Sequence, residues 1–252
     1  MKMIEGLVSI VTPSYNSEQF VSDTIKSVLD QTYHDWELLI IDDCSKDHTV
    51  AIIQAFVDID ERIRLFPLKQ NVGAAAARNI ALEYAQGQYV AFLDSDDVWL
   101  PEKLAEQLAF MKTHKYAFTY SAYYTMSESG EKTGHIIKVP KSLSYNQYLC
   151  NTIIGCLTVV IDRELTGDFR MPLIKSSHDM ALWLLIMKRG FNAYGLHKVL
   201  AGYRLVSTSN TAKKWKAARD VWRVYREIES LSLIHAAYCF CGYAMNAVIK
   251  RI

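Results

Sequence analysis

The chain of 252 residues is poor in several features that mark whole classes of protein. Its five cysteines are odd in number and include no C-x-x-C pair, so we expect reduced thiols in a cytosolic protein. A net charge of +1 gives no basic excess of the kind that nucleic-acid binding uses. The segment from Met1 to Gly6 has no long apolar run, so we expect no signal peptide. Together these absences predict a cytoplasmic protein with no nucleic-acid partner.

Hydrophobic residues make up 50% of the chain, which is enough to bury the core of one large domain. In the first hundred residues, short runs rich in β-branched side chains alternate with segments whose apolar residues recur at helical spacing. This alternation implies a parallel sheet with right-handed crossovers, and therefore the α/β class. The predicted strands cover residues 7–12, where Pro13 ends the run, and then 36–41, 63–66 and 89–93. The predicted helices begin near residues 20, 45 and 74.

The second half of the sequence is less regular. Pro101 opens a helix, and residues 116–122 and 157–161 have the composition of strands. We expect the polar stretch between those strands, which contains Gly130 and Gly134, to form a mobile flap. Residues 178–187 predict a buried helix that ends at Gly190. His197 lies among apolar residues, which favours a place in the core.

Three carboxylates directly follow the fourth predicted strand. Asp94, Asp96 and Asp97 stand at its carboxyl end, which is where ligands bind in open α/β sheets. Crowded carboxylates raise one another's pKa, and a cation is the simplest compensation. Oxygen ligands favour a hard ion, Mg²⁺ or Mn²⁺, shared with phosphate oxygens. The alternative is a solvated acidic turn that caps the helix near Pro101.

Polar segments also stand at the ends of the other three predicted strands. They are Pro13-Ser14-Tyr15, Asp42-Asp43 and Asn71-Val72-Gly73. Because the carboxyl ends of parallel strands lie along one edge of a sheet, we expect all four segments to meet there. Their convergence predicts a crevice that binds a nucleotide.

Four segments resemble, in order and spacing, the donor-side motifs of the family 2 glycosyltransferases, the inverting GT-A-fold enzymes of bacterial surface-polysaccharide assembly. The segments are SIVTPSYN from Ser9, IDDCSKD from Ile41, NVGAAAARN from Asn71 and LDSDD from Leu93. The resemblance extends from about Val8 to about Ser209. It implies a Rossmann-like, three-layer α/β fold with a mostly parallel central sheet and a C-terminal helical tail. The expected division is a nucleotide-sugar-binding half over residues 1–100, an acceptor-binding half over 101–210 and a tail over 211–252.

The resemblance also implies roles for individual residues. Pro13 and Tyr15 would line the nucleobase pocket, with the tyrosine ring stacked on the base. Asp43 would accept a hydrogen bond from a uracil imide, with Asp42 nearby, and Arg78 would reach the nucleotide from its helix. The alternatives are a tyrosine that only packs its loop and a surface ion pair between Arg78 and Asp42. In the acidic turn, the nucleotide contacts would come from Asp94 and Ser95, and the ligands of Mn²⁺ or Mg²⁺ would be Asp96 and Asp97.

Transfer to an acceptor hydroxyl needs a base within hydrogen-bond reach. The resemblance places this base on Asp179, in the first turn of the predicted buried helix, and the alternative is an aspartate that only caps the helix. Two positions depart from the family pattern. His178 stands where an acidic residue is frequent, and Val206 stands where a histidine is frequent. Arg204, close to Val206, is a candidate contact for the diphosphate.

Basic residues and tryptophans are interleaved near the C-terminus, which favours a helix on an anionic membrane surface. The apolar segment 231–249 follows, and its length approaches the roughly 20 residues of a membrane span. Its polar side chains favour an interfacial helix or a dimer contact over a span. A helix packed on the domain is the further alternative. The basic residues concerned are Lys213, Lys214, Lys216, Arg219, Arg223 and Arg226.

The resemblance, together with the acidic turn, implies an inverting, metal-dependent enzyme that moves a sugar from a nucleotide diphosphate, expected to be UDP, to a hydroxyl group. The expected acceptor is a polyprenyl-diphosphate-linked saccharide for O-antigen or capsule, at the inner face of the plasma membrane. Two alternatives stay open. A nucleotidyltransferase would also bind a metal, but it should show a glycine-rich phosphate loop after the first strand, and Thr12 to Asn16 contain none. A non-catalytic subunit that binds nucleotide sugars would share the donor motifs.

Overall fold

The first half of the chain alternates between strands and helices, as its hydrophobic pattern predicts. The computed structural model describes residues 3–206 and 214–249, with side chains over 3–206 and 217–246. The first four strands are parallel and lie side by side in the order β3-β2-β1-β4. They are β1 (Ile4–Ser14), β2 (Trp36–Asp42), β3 (Ile63–Pro67) and β4 (Gly87–Phe92), and the helices between them are α1 (Val21–Leu29), α2 (Thr49–Val57) and α3 (Ala74–Tyr84).

The second half extends the same sheet with strands of both directions. β9 lies antiparallel between β4 and β6, and β10 continues parallel to β6, so the sheet order is β3-β2-β1-β4-β9-β6-β10-β5. The strands are β5 (Val98–Trp99), β6 (Phe118–Met126), β7 (Lys132–Ile137), β8 (Ser142–Leu143), β9 (Val160–Asp162) and β10 (Ala193–Arg204). The helices are α4 (Lys103–His114), α5 (Tyr145–Cys150), α6 (Arg163–Thr166) and α7 (His178–Lys188).

Helices cover both faces of the sheet, which gives the three layers predicted from the sequence. Side chains alternate between the two faces of β2, so Leu38 and Ile40 belong to one buried cluster and Leu39 and Ile41 to the other. The α1 and α4 side chains pack in the first cluster, and those of α3 and α7 in the second. Both faces of the central strands are therefore apolar, as the uninterrupted hydrophobic run of β2 indicates.

Several local expectations were wrong. Pro13 does not end β1. The pairing of β1 with β4 stops at Val11, and Pro13 still pairs with Ile41 of β2. α3 ends at Tyr84 and Gly87 opens β4, where an added Cβ would lie 2.5 Å from the Leu7 carbonyl oxygen. The polar stretch expected to be a flap contains β7, which pairs antiparallel with β6 as an exposed hairpin, and its mobility stays a prediction. His197 is exposed, because β10 shifts register between Leu196 and Val199.

The C-terminal segment forms α8 (Lys214–Arg223), a π-helical turn (Val224–Ile228) and α9 (Leu233–Ile249). One face of α9 packs on α5: Asn246 donates to the Cys150 carbonyl at 3.0 Å, and a Cβ added at Gly242 would lie 2.8 Å from the Cys150 Cβ. The alternative of a helix packed on the domain therefore applies to this face. No described helix is both long enough and apolar enough to cross a bilayer. Lys213 and the side chains of Lys214 and Lys216 lie outside the described residues.

Candidate active site

The four strand ends meet around one cleft of about 750 Å³. Asp43, after β2, and Asp96, after β4, both line this cleft, which extends past α7 to the tail helices. Asp42 and Asp97 are not part of its wall. The residues predicted from the sequence that do line it are Pro13, Tyr15, Asp43, Arg78, Asp94, Ser95, Asp96 and Asp179.

Asp43 is held rigidly at one end of the cleft. Its carboxylate accepts the backbone N–H groups of Val72 at 2.6 Å and Gly73 at 2.8 Å, and Asn71 donates to its backbone carbonyl at 3.0 Å. Each carboxylate oxygen has a further lone pair and can accept one more hydrogen bond. Tyr15 lines the same cleft with 51% of its surface exposed. This end therefore offers a fixed acceptor and an accessible aromatic ring.

Asp42 has a different position from its neighbour. Its carboxylate accepts the backbone N–H of Ser45 at 2.9 Å and the Ser45 hydroxyl at 2.5 Å. These bonds hold the turn after β2, and the ion pair between Asp42 and Arg78 does not form. The geometry thus gives Asp42 a role in the shape of the loop and not in direct contact with a ligand.

Arg78 joins the donor-side turn to α7. It is only 4% exposed, and its guanidinium donates to the Asp94 carboxylate and to Nε2 of His178, the latter at 2.6 Å. Burial alone would lower the pKa of Arg78, but the adjacent Asp94 carboxylate outweighs it, and the pKa is raised. Arg78 therefore stays cationic in the wall of the cleft.

The last two carboxylates of the acidic turn point in different directions. Asp97 is buried and accepts the backbone N–H of Arg204 at 2.8 Å, whereas Asp96 lines the cleft. The Arg204 guanidinium donates to the Asp96 backbone carbonyl at 2.7 Å and to the Glu128 carbonyl at 2.9 Å. We expected Asp97 to bind the metal and Arg204 to contact the diphosphate. In the structure neither side chain lines the cleft, and their hydrogen bonds hold the acidic turn to β10.

Asp96 and Asp94 form a donor set suited to a hard cation. Burial raises the pKa of Asp96 to about 6, and the nearby Asp94 carboxylate adds to the rise. A bound cation would relieve that repulsion, and carboxylate oxygens suit Mg²⁺ or Mn²⁺. Among the described residues, no three His, Cys, Asp or Glu side chains form a metal-binding cluster on their own. A metal at this turn would therefore need oxygen atoms from a bound substrate.

Asp179 presents its carboxylate to the same cleft. It is the second residue of α7, and it accepts no hydrogen bond from the described residues. The N-cap of α7 is Ser177, whose backbone φ of 57° is left-handed, and the helix has no side-chain cap bond. Asp179 therefore lies in the first turn without making an N-cap hydrogen bond, and a stabilising interaction with the helix dipole stays open beside the role of a base. The Asp179 carboxylate is half-buried, and its lone pairs accept no hydrogen bond from the described part of the chain.

The tail completes the cleft, which the sequence does not predict. Asp220 and Val221 on α8 and Tyr243 on α9 line its far end, and the Ser176 hydroxyl donates to the Asp220 carboxylate. Lys175 lines this end as well and makes no ion pair with the described residues. These residues are too distant in sequence from the donor motifs for spacing to connect them. Only the amphipathic pattern of the tail indicates that it packs on the domain.

The chain is similar to one known family and to several known proteins. The family described as Glycosyl transferase family 2 matches residues 9–165, which is more than half of the chain. A protein of Bacillus subtilis (strain 168), provisionally named teichuronic acid biosynthesis glycosyltransferase TuaG, is 53% identical over 246 residues, or 98% of each chain. The Escherichia coli UDP-Glc:alpha-D-GlcNAc-diphosphoundecaprenol beta-1,3-glucosyltransferase WfgD is 41% identical over 223 residues, covering 88% of this chain and 86% of that protein.

A solved structure has the same architecture. The crystal structure of residues 1–349 of S. aureus TarS in complex with UDP-GlcNAc superimposes with a TM-score of 0.72 at 21% identity. The match covers 97% of this chain and 72% of that one. This likeness confirms the predicted α/β fold of the GT-A type with its mostly parallel sheet and C-terminal helices. Together with the family match and the two relatives, it shows that the chain belongs to glycosyl transferase family 2 and is a glycosyltransferase.

Proposed function

We propose that the protein moves a sugar from a UDP-sugar to a hydroxyl of a saccharide linked to polyprenyl diphosphate, with inversion at the sugar C1. The observation that carries this proposal is that Asp43, Asp96 and Asp179, from three separate parts of the chain, line one cleft. One wall can bind a nucleotide diphosphate, and the opposite wall carries a carboxylate that can activate an attacking hydroxyl. Family membership favours this transfer over the nucleotidyltransferase and binding-subunit alternatives.

The nucleotide would bind along the strand ends. Tyr15 offers an exposed ring for stacking, and Asp43 can accept the imide N–H of uracil while it keeps its bonds to Val72 and Gly73. Cytosine has no imide N–H at that position, so the carboxylate favours uracil. Asp94 would then lie beside the ribose, with Ser95 next to it.

The leaving diphosphate would lie against Asp96. Departure of the nucleotide builds negative charge on the phosphate oxygens, and a bound Mn²⁺ or Mg²⁺ would stabilise that charge. Asp96 supplies a carboxylate oxygen for the ion, while Asp97 and Arg204 keep the turn in place. The buried Arg78 cation adds positive charge next to Asp94. The roles proposed for Asp97 and Arg204 are therefore structural.

Asp179 is proposed as the base. An acceptor hydroxyl in the cleft would donate its proton to the Asp179 carboxylate as its oxygen attacks C1 from the face opposite the leaving phosphate. Displacement from that face inverts the configuration at C1. The carboxylate suits this role because no described side chain occupies its lone pairs.

The acceptor would occupy the end of the cleft between α7 and the tail helices. WfgD, by its name, acts on a sugar carried by diphosphoundecaprenol, and we propose an acceptor of that class here. Lys175 supports the proposal, because Lys175 and Arg78 are the cationic side chains on the described wall of the cleft, and Arg78 is already bound to Asp94. The Lys175 ammonium is available to pair with a diphosphate.

We also propose that α9 contacts the cytoplasmic face of the membrane that holds this acceptor. The face of α9 opposite α5 is apolar and exposed: Ile234 is 85% exposed, and Tyr238 and Met245 lie one and three turns further along. The side chains of Arg219 and Arg223 on α8 are also exposed, and Arg223 forms an ion pair with Glu227. An exposed apolar face beside cations matches an anionic lipid surface. A homodimer through α9 is the alternative occupant of this face.

Replacement of Asp179 by Asn tests the proposal. The amide keeps the shape of the side chain but cannot accept a proton, so UDP-sugar binding should persist while transfer is lost. Calorimetric binding of UDP-sugar and single-turnover transfer to a synthetic lipid-diphosphate acceptor measure the two separately. Unchanged transfer in Asp179→Asn would refute the role of Asp179 as the base. An absence of UDP binding in the parent protein would refute a UDP-sugar as the donor.

A further inference from the structure

The His178 imidazole lies where the donor wall of the cleft meets α7, and the function proposed above gives it no role. Its Nε2 lies 2.6 Å from a guanidinium nitrogen of Arg78. A guanidinium has five N–H donors and no acceptor, and it stays protonated in proteins. The contact is therefore a hydrogen bond only when Nε2 accepts it. That requires a neutral imidazole with its proton on Nδ1.

The surroundings favour this neutral form. Burial lowers the pKa of His178, and the neighbouring Arg78 cation lowers it further. The carboxylates of Asp179 and Asp94 and the Ile174 carbonyl act in the opposite direction, but burial and Arg78 outweigh them. The other ring nitrogen, Nδ1, is buried and makes no hydrogen bond of ordinary geometry with the described residues. The strong polar contact of this ring is therefore the one with Arg78.

We infer that His178 is a positioning residue that couples the base to the donor site. Successive hydrogen bonds join Asp94, Arg78 and His178, and His178 is followed directly by Asp179 in the first turn of α7. The chain of bonds crosses from the acidic turn to α3 and on to α7. It fixes the separation between the carboxylate that activates the acceptor and the turn that holds the leaving group. In-line attack is sensitive to this separation.

Histidine at position 178, where an acidic residue is frequent in the family pattern, changes the charge beside Arg78 and Asp179. A carboxylate there would compete with Asp94 for the guanidinium and would add negative charge beside Asp179. A cation there would repel Arg78. A neutral acceptor holds Arg78 in place and leaves its charge for Asp94. This inference rests on the proposed base role of Asp179, because a positioned base is what the coupling provides.

Two amide substitutions form a matched test. In His178→Gln, the amide oxygen reaches about as far from Cβ as Nε2 does, so it can still accept from Arg78. In His178→Asn, the oxygen reaches only as far as Nδ1, which makes no such bond. Both amides are neutral, polar and smaller than the imidazole. We expect kcat of His178→Asn to fall by about 10- to 100-fold, because small misplacements of reacting groups have effects of that size, and kcat of His178→Gln to stay near that of the parent.

The KM for the donor and the binding of UDP should change little in both variants, since neither removes a proposed nucleotide contact. A thermal melt of each variant shows whether it folds. Equal kcat values for the Gln and Asn variants overturn the inference, whether both are reduced or both are unchanged. A loss of UDP binding that matches the loss of kcat in His178→Asn overturns it as well, because the residue would then belong to the donor site.

The Asp179→Asn variant, measured in parallel, separates this inference from the proposed function. Retained turnover in that variant refutes the base role, whatever the two amides at position 178 do. Abolished turnover together with indistinguishable Gln and Asn variants leaves the base role in place and refutes the positioning role of His178. Arg78→Lys is a second variant, which removes the forked guanidinium donor. If Arg78 and His178 act through the same hydrogen bond, the effects of Arg78→Lys and His178→Asn should not add. The double variant should then have a kcat no lower than that of the more damaging single variant.

Discussion

The backbone N–H of Arg204 donates to the carboxylate of Asp97 across 2.8 Å, and this bond links the last residue of β10 to the acidic turn after β4. The two residues are 107 positions apart in sequence. The Arg204 guanidinium adds a second link to the same turn, through the Asp96 carbonyl. The orientation of Asp96 toward the cleft therefore depends on a strand from the other half of the chain.

The different positions of Asp96 and Asp97 predict different outcomes when each is replaced by alanine. Asp97→Ala leaves the buried Arg204 N–H without its acceptor and should lower the free energy of unfolding by about 1–3 kcal/mol, with activity reduced as a consequence. Asp96→Ala removes the proposed metal ligand, whose carboxylate accepts no hydrogen bond from another described residue, so it should abolish transfer with a smaller loss of stability than Asp97→Ala. Chemical denaturation and turnover of both variants check this contrast. Equal losses of stability in the two variants would contradict the structural role of Asp97 and the ligand role of Asp96.

The sequence predicts the donor half well because each donor motif is continuous and directly follows a strand. A run of apolar residues that ends in Asp42-Asp43, or in the acidic turn, places those residues at the sheet edge without further information. Which carboxylate faces the cleft is not encoded locally. Asp96 and Asp97 are neighbours, and only the passage of β10 beneath the turn distinguishes them.

The acceptor half is harder to predict for a related reason. β10 contains exposed polar residues at a register shift, so its alternation is broken, and α5 has only six residues. The far wall of the cleft comes from Asp220 and Tyr243, which no motif connects with Asp179. Sequence patterns report local periodicity, whereas this wall is formed by the packing of α9 on α5.

Lys103 provides a prediction about stability and pH. Its side chain is fully buried, donates to the Gln107 amide oxygen at 3.0 Å and lies 4.3 Å from the Trp99 ring centre, with no carboxylate among its described partners. Burial lowers the pKa of Lys103 to about 7. Above that pH Lys103 loses its proton in the folded chain, whereas in the unfolded chain it keeps the proton up to its ordinary pKa of 10.5. Because the unfolded chain then binds more protons, this group makes the free energy of unfolding rise with pH.

Lys103→Met keeps about the same side-chain volume and removes the titratable ammonium group. We expect the variant to be more stable than the parent at pH 6. Its advantage should shrink by about 1.4 kcal/mol per pH unit between pH 7 and 9. Denaturant unfolding of both proteins across this range measures the difference. A difference that does not change with pH would contradict the proposed titration of Lys103.

Lys175 tests the acceptor site. Lys175→Gln should raise KM for a sugar carried on a lipid diphosphate by up to about fivefold, because an exposed charge pair is worth at most roughly 1 kcal/mol. The same variant should leave KM unchanged for the same sugar on a neutral alkyl chain. Lys175→Arg, which keeps the charge, is the matched control. An equal effect of Lys175→Gln on both acceptors would place the diphosphate elsewhere.

The exposed face of α9 gives a prediction about membranes. Ile234→Asp introduces a charge into the apolar stripe and should weaken sedimentation with anionic vesicles by about tenfold or more, since it removes an aliphatic side chain that the membrane would bury and adds charge repulsion. Activity on a short-chain acceptor in solution should be retained. Ile59→Asp, at a residue that is 75% exposed outside the tail, is the control. A change of oligomeric state without a change in vesicle binding would assign the stripe to a dimer.

The configuration of the newly formed glycosidic bond tests the central claim most directly, because displacement by a hydroxyl that Asp179 activates has a single stereochemical outcome. Transfer from a UDP-α-sugar to a synthetic lipid-diphosphate saccharide can be followed by NMR of the product, with the anomeric proton coupling as the readout. The account predicts a β-linked product. An α-linked product would contradict direct displacement and the base role of Asp179 together.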